Sequence, residues 1–243
     1  MKTAIITGAS SGIGKALAES LAQQGFRLGL MARRSDLLNQ IQQNTSSEIV
    51  IQPSDFSNSE KALEDFKLLW NSLGRVDWVF LNAGVSLSGT PFAWNHDRDM
   101  LNVNLVSFTA LADESISRFL KQKAGHLIGI SSIAGTRGSG KAPVYGATKA
   151  YISNYLQGLR QQIKVINPMI QVTDIRPGFV DTSMIRFSPV KFWVSSPEKA
   201  AHQILEAVRR KKRMAYVSRR WHIAALIYSL LPEFLRRHRR EPH

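Results

Sequence analysis

Three side chains between Ser132 and Lys149 have the types and spacing needed for proton transfer. Tyr145 and Lys149 are four residues apart, which places both on one face of a helix, one turn apart. A free tyrosine has a pKa of about 10, and a neighbouring ammonium group favours the phenolate and lowers that pKa. Ser132 follows the apolar run 127–130, so its hydroxyl can face the tyrosine from the end of a buried strand and hold a substrate oxygen. The spacing predicts proton transfer to or from an alcohol, although such a tyrosine–lysine pair alone is also typical of a solvated helix face.

The elements that would position these side chains alternate between strands and helices. Apolar runs predict strands at 2–7, 27–31, 48–52, 77–81, 125–130 and 171–176, with an edge strand at 214–217. Helical periodicity predicts helices at 13–24, 59–73, 97–120 and 144–163, and a helix from 197 that ends in the basic run 209–213. This pattern is typical of an α/β fold, a Rossmann-like doubly wound parallel sheet of about seven strands with helices on both faces. Ligands of such folds bind at the carboxyl ends of the strands.

A glycine-rich turn after the first strand indicates a dinucleotide site. Gly8, Gly12 and Gly14 let the backbone turn tightly and approach a pyrophosphate at the positive end of the next helix. The spacing is Gly-x-x-x-Gly-x-Gly, and a tight connection without a ligand is the alternative. Small residues at 82–84 would let a cofactor lie against the backbone there. Asp55 follows the third strand and could bind the adenine amino group or cap a turn.

Two arginines after the second strand favour NADP(H) over NAD(H). A site for NAD(H) would carry an acid at this point, about 20 residues past the glycine turn, for the ribose 2′-hydroxyl. This chain has Arg33 and Arg34 instead, and a guanidinium group suits a 2′-phosphate. Lys15 adds positive charge beside the turn. The alternative is that both arginines belong to a solvated helix start.

Composition narrows the classes of protein. The chain has 243 residues, a length that suits one α/β domain, and its lack of cysteine excludes disulfides and thiol catalysis. The histidines show no metal-ligand spacing, so no metal is expected. The amino terminus passes straight into a strand, and we expect a cytoplasmic protein. The net charge is +14, of which the segment from Arg209 to Arg240 carries +10.

The basic C-terminal region, residues 218–243, is interpreted as a tail that follows a single domain at 1–217. Its uncharged centre, 221–232, is shorter than the roughly 20 residues that a spanning helix needs. Basic flanks with a tryptophan and a tyrosine favour a helix in a membrane interface, so peripheral membrane contact through 219–240 is expected. The alternatives are packing on the body or a second subunit, and a solvated end. No nucleic-acid recognition motif is present, so no nucleic-acid partner is expected.

Taken together, these residues resemble the short-chain dehydrogenase/reductase family in its shorter, classical form. The resemblance covers about residues 1–210, with the motifs in the family's order and spacing. The matching positions are Thr7-Gly8-Ala9-Ser10-Ser11-Gly12-Ile13-Gly14, Asn82-Ala83-Gly84, Asn104, Ser132, Tyr145-x-x-x-Lys149 and Pro177-Gly178.

The resemblance implies a role for each matching residue. Tyr145 would be the general acid, Ser132 would polarise the carbonyl, and Lys149 would bind the nicotinamide ribose and lower the pKa of Tyr145. Asn104 would bend its helix and hold a water that links Lys149 to solvent. The implied cofactor-binding residues are Gly8, Ser10, Ser11, Gly12, Ile13 and Gly14 for the pyrophosphate, Arg33 for the 2′-phosphate, Asp55, Phe56, Asn82, Ala83 and Gly84 along the adenine and its ribose, and Pro177, Gly178, Val180 and Thr182 beside the nicotinamide.

The substrate side is expected to be apolar. The family's variable substrate loop corresponds to 181–195, where Met184, Ile185, Phe187, Phe192 and Trp193 favour a lipophilic carbonyl such as a 3-oxoacyl, ketosphingoid or steroid-like ketone. Leu87, Phe92 and Trp94 would line the opposite wall, Arg186 and Lys191 could meet an acidic group, and the alternative is that the loop only packs on the body. The resemblance also implies a homodimer or tetramer. The resulting hypothesis is an NADP(H)-dependent reductase, with an NAD-dependent alcohol or hydroxysteroid dehydrogenase, or a non-catalytic dinucleotide-binding sensor or scaffold, as the alternatives.

Overall fold

One parallel sheet forms the centre of the molecule. The computed structural model describes residues 1–86, 93–140, 142–185, 193–218 and 220–230, and in these ranges seven strands pair in the order β3-β2-β1-β4-β5-β6-β7. Every neighbouring pair is parallel. The strands are β1 (Thr3–Thr7), β2 (Arg27–Ala32), β3 (Ile49–Pro53), β4 (Trp78–Leu81), β5 (Gly125–Ile130), β6 (Ile170–Pro177) and β7 (Met214–Val217). The prediction of an α/β fold with a doubly wound parallel sheet is confirmed.

Helices connect the strands and cover both faces of the sheet. They are α1 (Gly12–Gln23), α2 (Ser35–Gln43), α3 (Ser59–Leu73), α4 (Trp94–Leu101), α5 (Phe108–Gln122), α6 (Pro143–Ile166), α7 (Pro197–Arg209) and α8 (Arg220–Leu230). Local sequence fixes several starts: the Asn58 side chain accepts from the Lys61 amide at the start of α3, and Pro143 occupies the first turn of α6.

Two buried clusters, one on each face, hold the layers together. One face packs against α1, α2 and α7 through residues such as Leu17, Leu38 and Ile204, and the other packs against α3, α5 and α6. Neighbouring residues Ile5 and Ile6 of β1 belong to opposite clusters because side chains alternate along a strand. This double burial explains why the strands read as near-continuous apolar runs.

The strand order places a crevice between β1 and β4. The chain leaves β1 toward β2 and β3, then returns on the other side of β1 with β4. The loops after β1 and β4 therefore run in opposite directions, and the carboxyl ends of these strands form the crevice where ligands of such sheets bind. The glycine-rich turn and residues 82–84 meet at this point.

Two predicted helices differ from the structure. The helix predicted at 97–120 is longer and is divided by a π-helix, Asn102–Ser107, between α4 and α5. The helix predicted to run into the basic segment 209–213 ends at Arg209, and Lys211 adopts a left-handed φ of 51° before β7 begins. Within the described ranges, no helix combines the length and apolar composition required to cross a lipid bilayer.

Candidate active site

The glycine-rich turn presents backbone without side chains at the start of α1. Gly8 and Gly12 have φ values of 68° and 55°, in the left-handed region that side chains other than glycine rarely adopt. A Cβ atom on Gly14 would lie 2.2 Å from the Gly8 carbonyl oxygen, so the turn packs directly on the first turn of α1. Bare backbone at a helix amino terminus suits a pyrophosphate, and these residues therefore fit a dinucleotide.

Hydrogen bonds between β1 and β4 fix the position of this turn. The Asn82 side-chain amide donates to the carbonyl oxygens of Thr7 and Gly8, at 3.1 and 3.2 Å. The Thr7 hydroxyl oxygen accepts from the backbone amides of Asn82 and Ala83, both at 3.0 Å. The predicted site residues Asn82 and Ala83 thus hold the crevice in shape.

Arg34 and not Arg33 contacts the turn. Its Nη2 atom donates to the hydroxyl oxygens of Ser10 and Ser11 at 3.0 and 2.8 Å, so a positive charge lies beside the start of α1. Arg33, the first residue after β2, is exposed. Both guanidinium groups follow the carboxyl end of β2, where the sequence predicts the 2′-phosphate.

Asp55 and Phe56 have structural partners. Asp55 is exposed, and its Oδ1 atom accepts from the Ser57 amide at 3.0 Å, the turn-capping role that the sequence left open. The Phe56 ring is buried in the cluster beneath α3 and α5, and its carbonyl oxygen accepts from the Ser107 hydroxyl at 2.7 Å. The Phe56 ring packs in the core, so a contact of Phe56 with the adenine, which stays a prediction, would have to come from its backbone.

Asn104 is fully buried in the π-helix and joins three elements. Its Nδ2 atom donates to the Val85 carbonyl at 2.9 Å and to the Thr148 hydroxyl at 3.1 Å, while its Oδ1 atom accepts from the Val85 amide at 2.9 Å. The asparagine thus ties the loop after β4 to α6, directly beside the predicted catalytic residues. The helix distortion that the resemblance implies at Asn104 takes the form of this π-helix.

Lys149 is buried on α6, with 4% of its surface exposed. Its Nζ atom donates to the Ile130 carbonyl oxygen at 3.0 Å, at the end of β5. Burial lowers the pKa of Lys149 to about 8, against the opposing effect of the Asp174 carboxylate, which raises it. A Cβ atom on Gly84 would lie 3.3 Å from this Nζ atom, so the lysine also borders the loop after β4.

Ser132 lies at the end of β5 and faces α6. Its Oγ atom accepts from the Ala134 amide at 3.1 Å and caps a short 3-10 helix, Ile133–Gly135. A Cβ atom on Gly135 would lie 2.6 Å from the Ala150 amide nitrogen, so this turn packs tightly against α6. The Ser132 hydroxyl donates to the Pro177 carbonyl at 3.4 Å, across to the end of β6.

Tyr145 is half-buried, one turn before Lys149, and its hydroxyl lies 3.8 Å from the Met184 sulfur. Burial raises the pKa of Tyr145, and a hydrogen bond with the Ser132 hydroxyl lowers it by less. The Lys149 Nζ atom lies 5.7 Å from the centre of the tyrosine ring. The sequence predicts that Lys149 lowers the pKa of Tyr145, but in this structure burial outweighs any such effect.

The residues after β6 that are predicted to border the nicotinamide contact β7 and the segment before α7. Gly178 donates its amide to the Val217 carbonyl at 2.5 Å, and Val180 forms a bridge with Ser195. The Val180 side chain is buried in the core, whereas the methyl group of Thr182 lies 2.7 Å from where a Cβ on Gly12 would be. Thr182 therefore reaches the glycine-rich turn from the substrate side.

Part of the predicted substrate wall lies outside the described residues. Met184 and Trp193 are partly exposed, at 43% and 45%, and Trp94 is exposed at the start of α4. The remaining predictions for this region concern Leu87, Phe92, Arg186, Phe187, Lys191 and Phe192, which fall outside the described ranges, and the side chain of Ile185, which is not described.

Sequence reasoning missed residues whose roles depend on distant contacts. Trp221, assigned to a tail, is buried against Gly178, and Asp174 lies buried behind Lys149 with its carboxylate held by Ser131. Thr148 accepts a hydrogen bond from Asn104. Its position immediately before Lys149 in the motif could have marked it as a candidate site residue. Asp174 could have been noticed because an acidic residue in the middle of an apolar strand is rarely buried without a partner.

Comparison with known proteins places the chain among oxidoreductases. The family model described as short chain dehydrogenase matches residues 2–189. An uncharacterized oxidoreductase of Staphylococcus aureus strain USA300 is 31% identical over 217 residues, which cover 88% of this chain and 93% of the relative.

Solved structures share the fold over nearly the whole chain. An alcohol dehydrogenase from the archaeon Thermococcus sibiricus, complexed with 5-hydroxy-NADP, has a TM-score of 0.74 at 28% identity and covers 89% of this chain and 95% of its own. A short-chain dehydrogenase/reductase from Burkholderia phymatum, in complex with NAD, has a TM-score of 0.83 at 21% identity and covers 100% and 97%.

Proposed function

The chain belongs to the short-chain dehydrogenase/reductase family of oxidoreductases, and we propose that it is an NADP(H)-dependent reductase of a lipophilic carbonyl compound. The observation that carries this proposal is the placement of Tyr145 and the buried Lys149 on successive turns of α6, facing Ser132. These three side chains lie where the glycine-rich turn would bring a dinucleotide. A sensor protein that only binds the dinucleotide has no need of this arrangement.

The reaction would combine hydride transfer with proton transfer. A bound nicotinamide supplies the hydride. The Tyr145 hydroxyl donates a proton to the carbonyl oxygen, and the Ser132 hydroxyl donates a hydrogen bond to the same oxygen as negative charge develops on it. The raised pKa of Tyr145 keeps the phenol protonated at neutral pH, which is the form that reduction requires.

Lys149 would hold the cofactor and support the tyrosine. At neutral pH its ammonium group remains charged, because its pKa is about 8. A charged ammonium donates to the ribose hydroxyls and stabilises the phenolate left after proton transfer. Asn104 would hold the loop after β4 and α6 in position around Lys149 through its hydrogen bonds to Val85 and Thr148.

The preference for NADP(H) rests on the arginines after β2. Arg34 is already directed at the start of α1 by Ser10 and Ser11, and Arg33 is exposed beside it. Two guanidinium groups suit the doubly charged 2′-phosphate, and no carboxylate stands at either position to repel it. The related archaeal alcohol dehydrogenase, solved with 5-hydroxy-NADP, supports this choice.

Titration of NADPH and NADH against wild type, Arg33→Ser and Arg34→Ser tests the cofactor. We expect wild type to bind NADPH at least about tenfold more tightly, since one charged hydrogen bond to phosphate is worth on the order of 1.5–3 kcal/mol. Either variant should lose much of that preference, whereas affinity for NADH should change little. Arg75→Ser is the matched control, because Arg75 precedes the central strand β4 and so lies at the amino ends of the strands, away from the carboxyl ends where the dinucleotide would bind.

Equal affinity of the wild type for both dinucleotides would overturn the assignment of NADP(H) and favour an NAD-dependent dehydrogenase. Binding of neither would contradict the enzymatic role itself. Preference retained in both arginine variants would show that the 2′-phosphate lies elsewhere.

We extend the proposal to the protein's surroundings. The outer side of α8 exposes Ile223, Leu226 and Ile227 at 65, 58 and 55%, and the chain beyond it carries four arginines between 236 and 240. An apolar face followed by basic residues suits the interface of an anionic membrane, so we propose that this cytoplasmic enzyme meets a lipophilic substrate at the membrane surface. A homodimer or tetramer, which the family resemblance implies, is the proposed assembly.

A further inference from the structure

The C-terminal helix contacts the residue that borders the predicted nicotinamide site. Trp221, in the first turn of α8, is 4% exposed. A Cβ atom on Gly178 would lie 2.0 Å from its indole Nε1 and 2.2 Å from its Cδ1. The indole therefore lies directly on the Gly178 backbone, in space that any other residue at position 178 would fill.

Trp221 also joins the two ends of the substrate loop. Its ring packs edge-to-face on Phe179, with centroids 5.5 Å apart, and on Trp193, with centroids 5.6 Å apart. Phe179 precedes the loop and Trp193 lies near its end, and the Ser195 amide donates to the Phe179 carbonyl at 3.0 Å. The three rings, Phe179, Trp193 and Trp221, form one aromatic cluster.

This aromatic cluster lies next to the groups proposed to act on the carbonyl. Pro177 immediately precedes Gly178, and its carbonyl oxygen lies 3.4 Å from the Ser132 hydroxyl. The Met184 sulfur, within the same loop as Trp193, lies 3.8 Å from the Tyr145 hydroxyl. A carbonyl held between Ser132 and Tyr145 would therefore lie near the Met184 sulfur and near the Pro177-Gly178 backbone on which Trp221 packs.

We propose that the aromatic cluster is a substrate subsite that selects carbonyl compounds carrying a flat aryl ring, and that Trp221 is its specificity-determining residue. This proposal rests on the proposed function and names its substrate class. Trp193, 45% exposed, offers ring surface for stacking, while the buried Trp221 fixes its position. Aromatic pairs prefer offset or edge-to-face contacts, which a flexible alkyl chain of similar size cannot make.

The subsite makes α8 part of the active site. Tyr216 at the end of β7 stacks on His222 at 5.0 Å, and Ala225 is 5% exposed, so the inner side of α8 is anchored along several residues. The same helix that exposes apolar residues outward thus supplies the innermost ring of the substrate wall.

The test compares reduction of 2-acetonaphthone with reduction of 2-octanone by NADPH. The ratio of their kcat/KM values should favour the aryl ketone in wild type, fall about tenfold in Trp221→Ala, and fall less in Trp221→Phe, which retains a ring. Phe26→Leu is the control for a general loss of stability, because Phe26 is a buried aromatic residue that precedes β2, at the amino ends of the strands and four strands away from β6. Its ratio should remain that of wild type even where its Tm falls.

An unchanged ratio in Trp221→Ala, or an equal fall in Phe26→Leu, would overturn the subsite. If Trp221→Ala does not fold cooperatively, Trp221→Leu is used instead, and the same fall in the kcat/KM ratio is expected. Equilibrium dialysis of 2-acetonaphthone separates this proposal from the proposed function. If the wild type shows no turnover, the reductase assignment is contradicted. In that case, weaker binding of the ketone by the Trp221 variant than by wild type still supports the subsite. Equal binding by the two proteins overturns it.

Discussion

The two sides of the proposed site are built from different interactions. The side formed by the ends of β1, β4 and β5 is held by hydrogen bonds: Thr7 to Asn82, Asn104 to Val85 and Thr148, and Lys149 to Ile130. The side after β6 has backbone hydrogen bonds, from Gly178 to Val217 and from Ser195 to Phe179, but its side chains meet in the aromatic cluster of Phe179, Trp193 and Trp221. Hydrogen bonds demand particular partners at fixed distances, whereas ring packing tolerates exchange of one apolar residue for another. The first side suits chemistry common to a family, and the second suits selection of a particular substrate.

The largest expected effect comes from Tyr145→Phe, which removes one hydroxyl group from the hydrogen-bonded side. Loss of a positioned general acid should lower kcat by about 10²–10⁴-fold. NADPH affinity should stay close to that of wild type, because the ring remains. Turnover and cofactor titration on the same preparations measure both. Turnover within a few-fold of wild type would remove Tyr145 from the reaction.

Asn104→Leu should destabilise the whole protein. It leaves the amide and carbonyl groups of the Val85 backbone without their Asn104 partner, and we expect the free energy of unfolding to fall by about 3 kcal/mol. Urea denaturation measures this loss. Met184→Leu, on the other side of the site, is the comparison: an apolar exchange of similar volume should cost less than about 1.5 kcal/mol. A larger loss for Met184→Leu than for Asn104→Leu would invalidate the contrast between the two sides.

Low pH should destabilise the protein through the contact between His126 of β5 and Thr173 of β6, strands that contribute to both sides of the site. His126 is buried, its Nε2 lies 2.8 Å from the Thr173 hydroxyl, and burial, aided by the charge of Lys211, lowers its pKa to about 4. The imidazole is neutral in the folded protein and binds a proton more readily once unfolded. The free energy of unfolding should therefore fall by up to about 3 kcal/mol as the pH decreases from about 6.5 to about 4.

His126→Gln keeps a polar group in place without this titration, so chemical denaturation across the same pH range should show a flatter profile. If the wild-type and variant profiles run parallel, His126 does not account for the acid sensitivity. Fluorescence and circular dichroism should give one transition if the two sides unfold together.

The smallest effect on turnover is expected for Ile223→Asp, which places a charge on the outer side of α8 and leaves Trp221 in contact with Gly178. With a water-soluble aryl ketone, kcat/KM should stay within about twofold of wild type, as for most exposed positions. Co-sedimentation with vesicles of anionic lipid should fall, and vesicles of zwitterionic lipid provide the control. Undiminished binding to anionic vesicles would exclude this side of α8 as the membrane contact.

The sequence predicted what local spacing determines. Ser132, Tyr145 and Lys149 could be assigned because a strand end and two turns of one helix bring them together regardless of distant packing. The doubly wound parallel sheet followed from the alternation of strands and helices. The pKa of Tyr145 could not be predicted in the same way, because its direction depends on how much water reaches the ring in the folded protein.

Contacts between distant segments were beyond such reasoning. Trp221 is 43 residues from Gly178 along the chain, and a basic, apolar segment at the end of a sequence is as typical of a surface helix as of a substrate wall. The choice between Arg33 and Arg34 likewise depends on side-chain directions that spacing alone does not fix. That the Phe56 side chain packs in the core was equally beyond such reasoning, because a residue beside a site motif can also belong to the core.

The π-helix at Asn102–Ser107 constrains the number of residues between α4 and α5. An α-helix advances about 100° per residue, so removing one residue between α4 and α5 would rotate α4, and the loop that enters it, by that angle relative to α5. Asn104 would then no longer face Val85. Related chains can exchange side chains along this helix, but we expect insertions and deletions within the six residues to be excluded wherever the asparagine is retained.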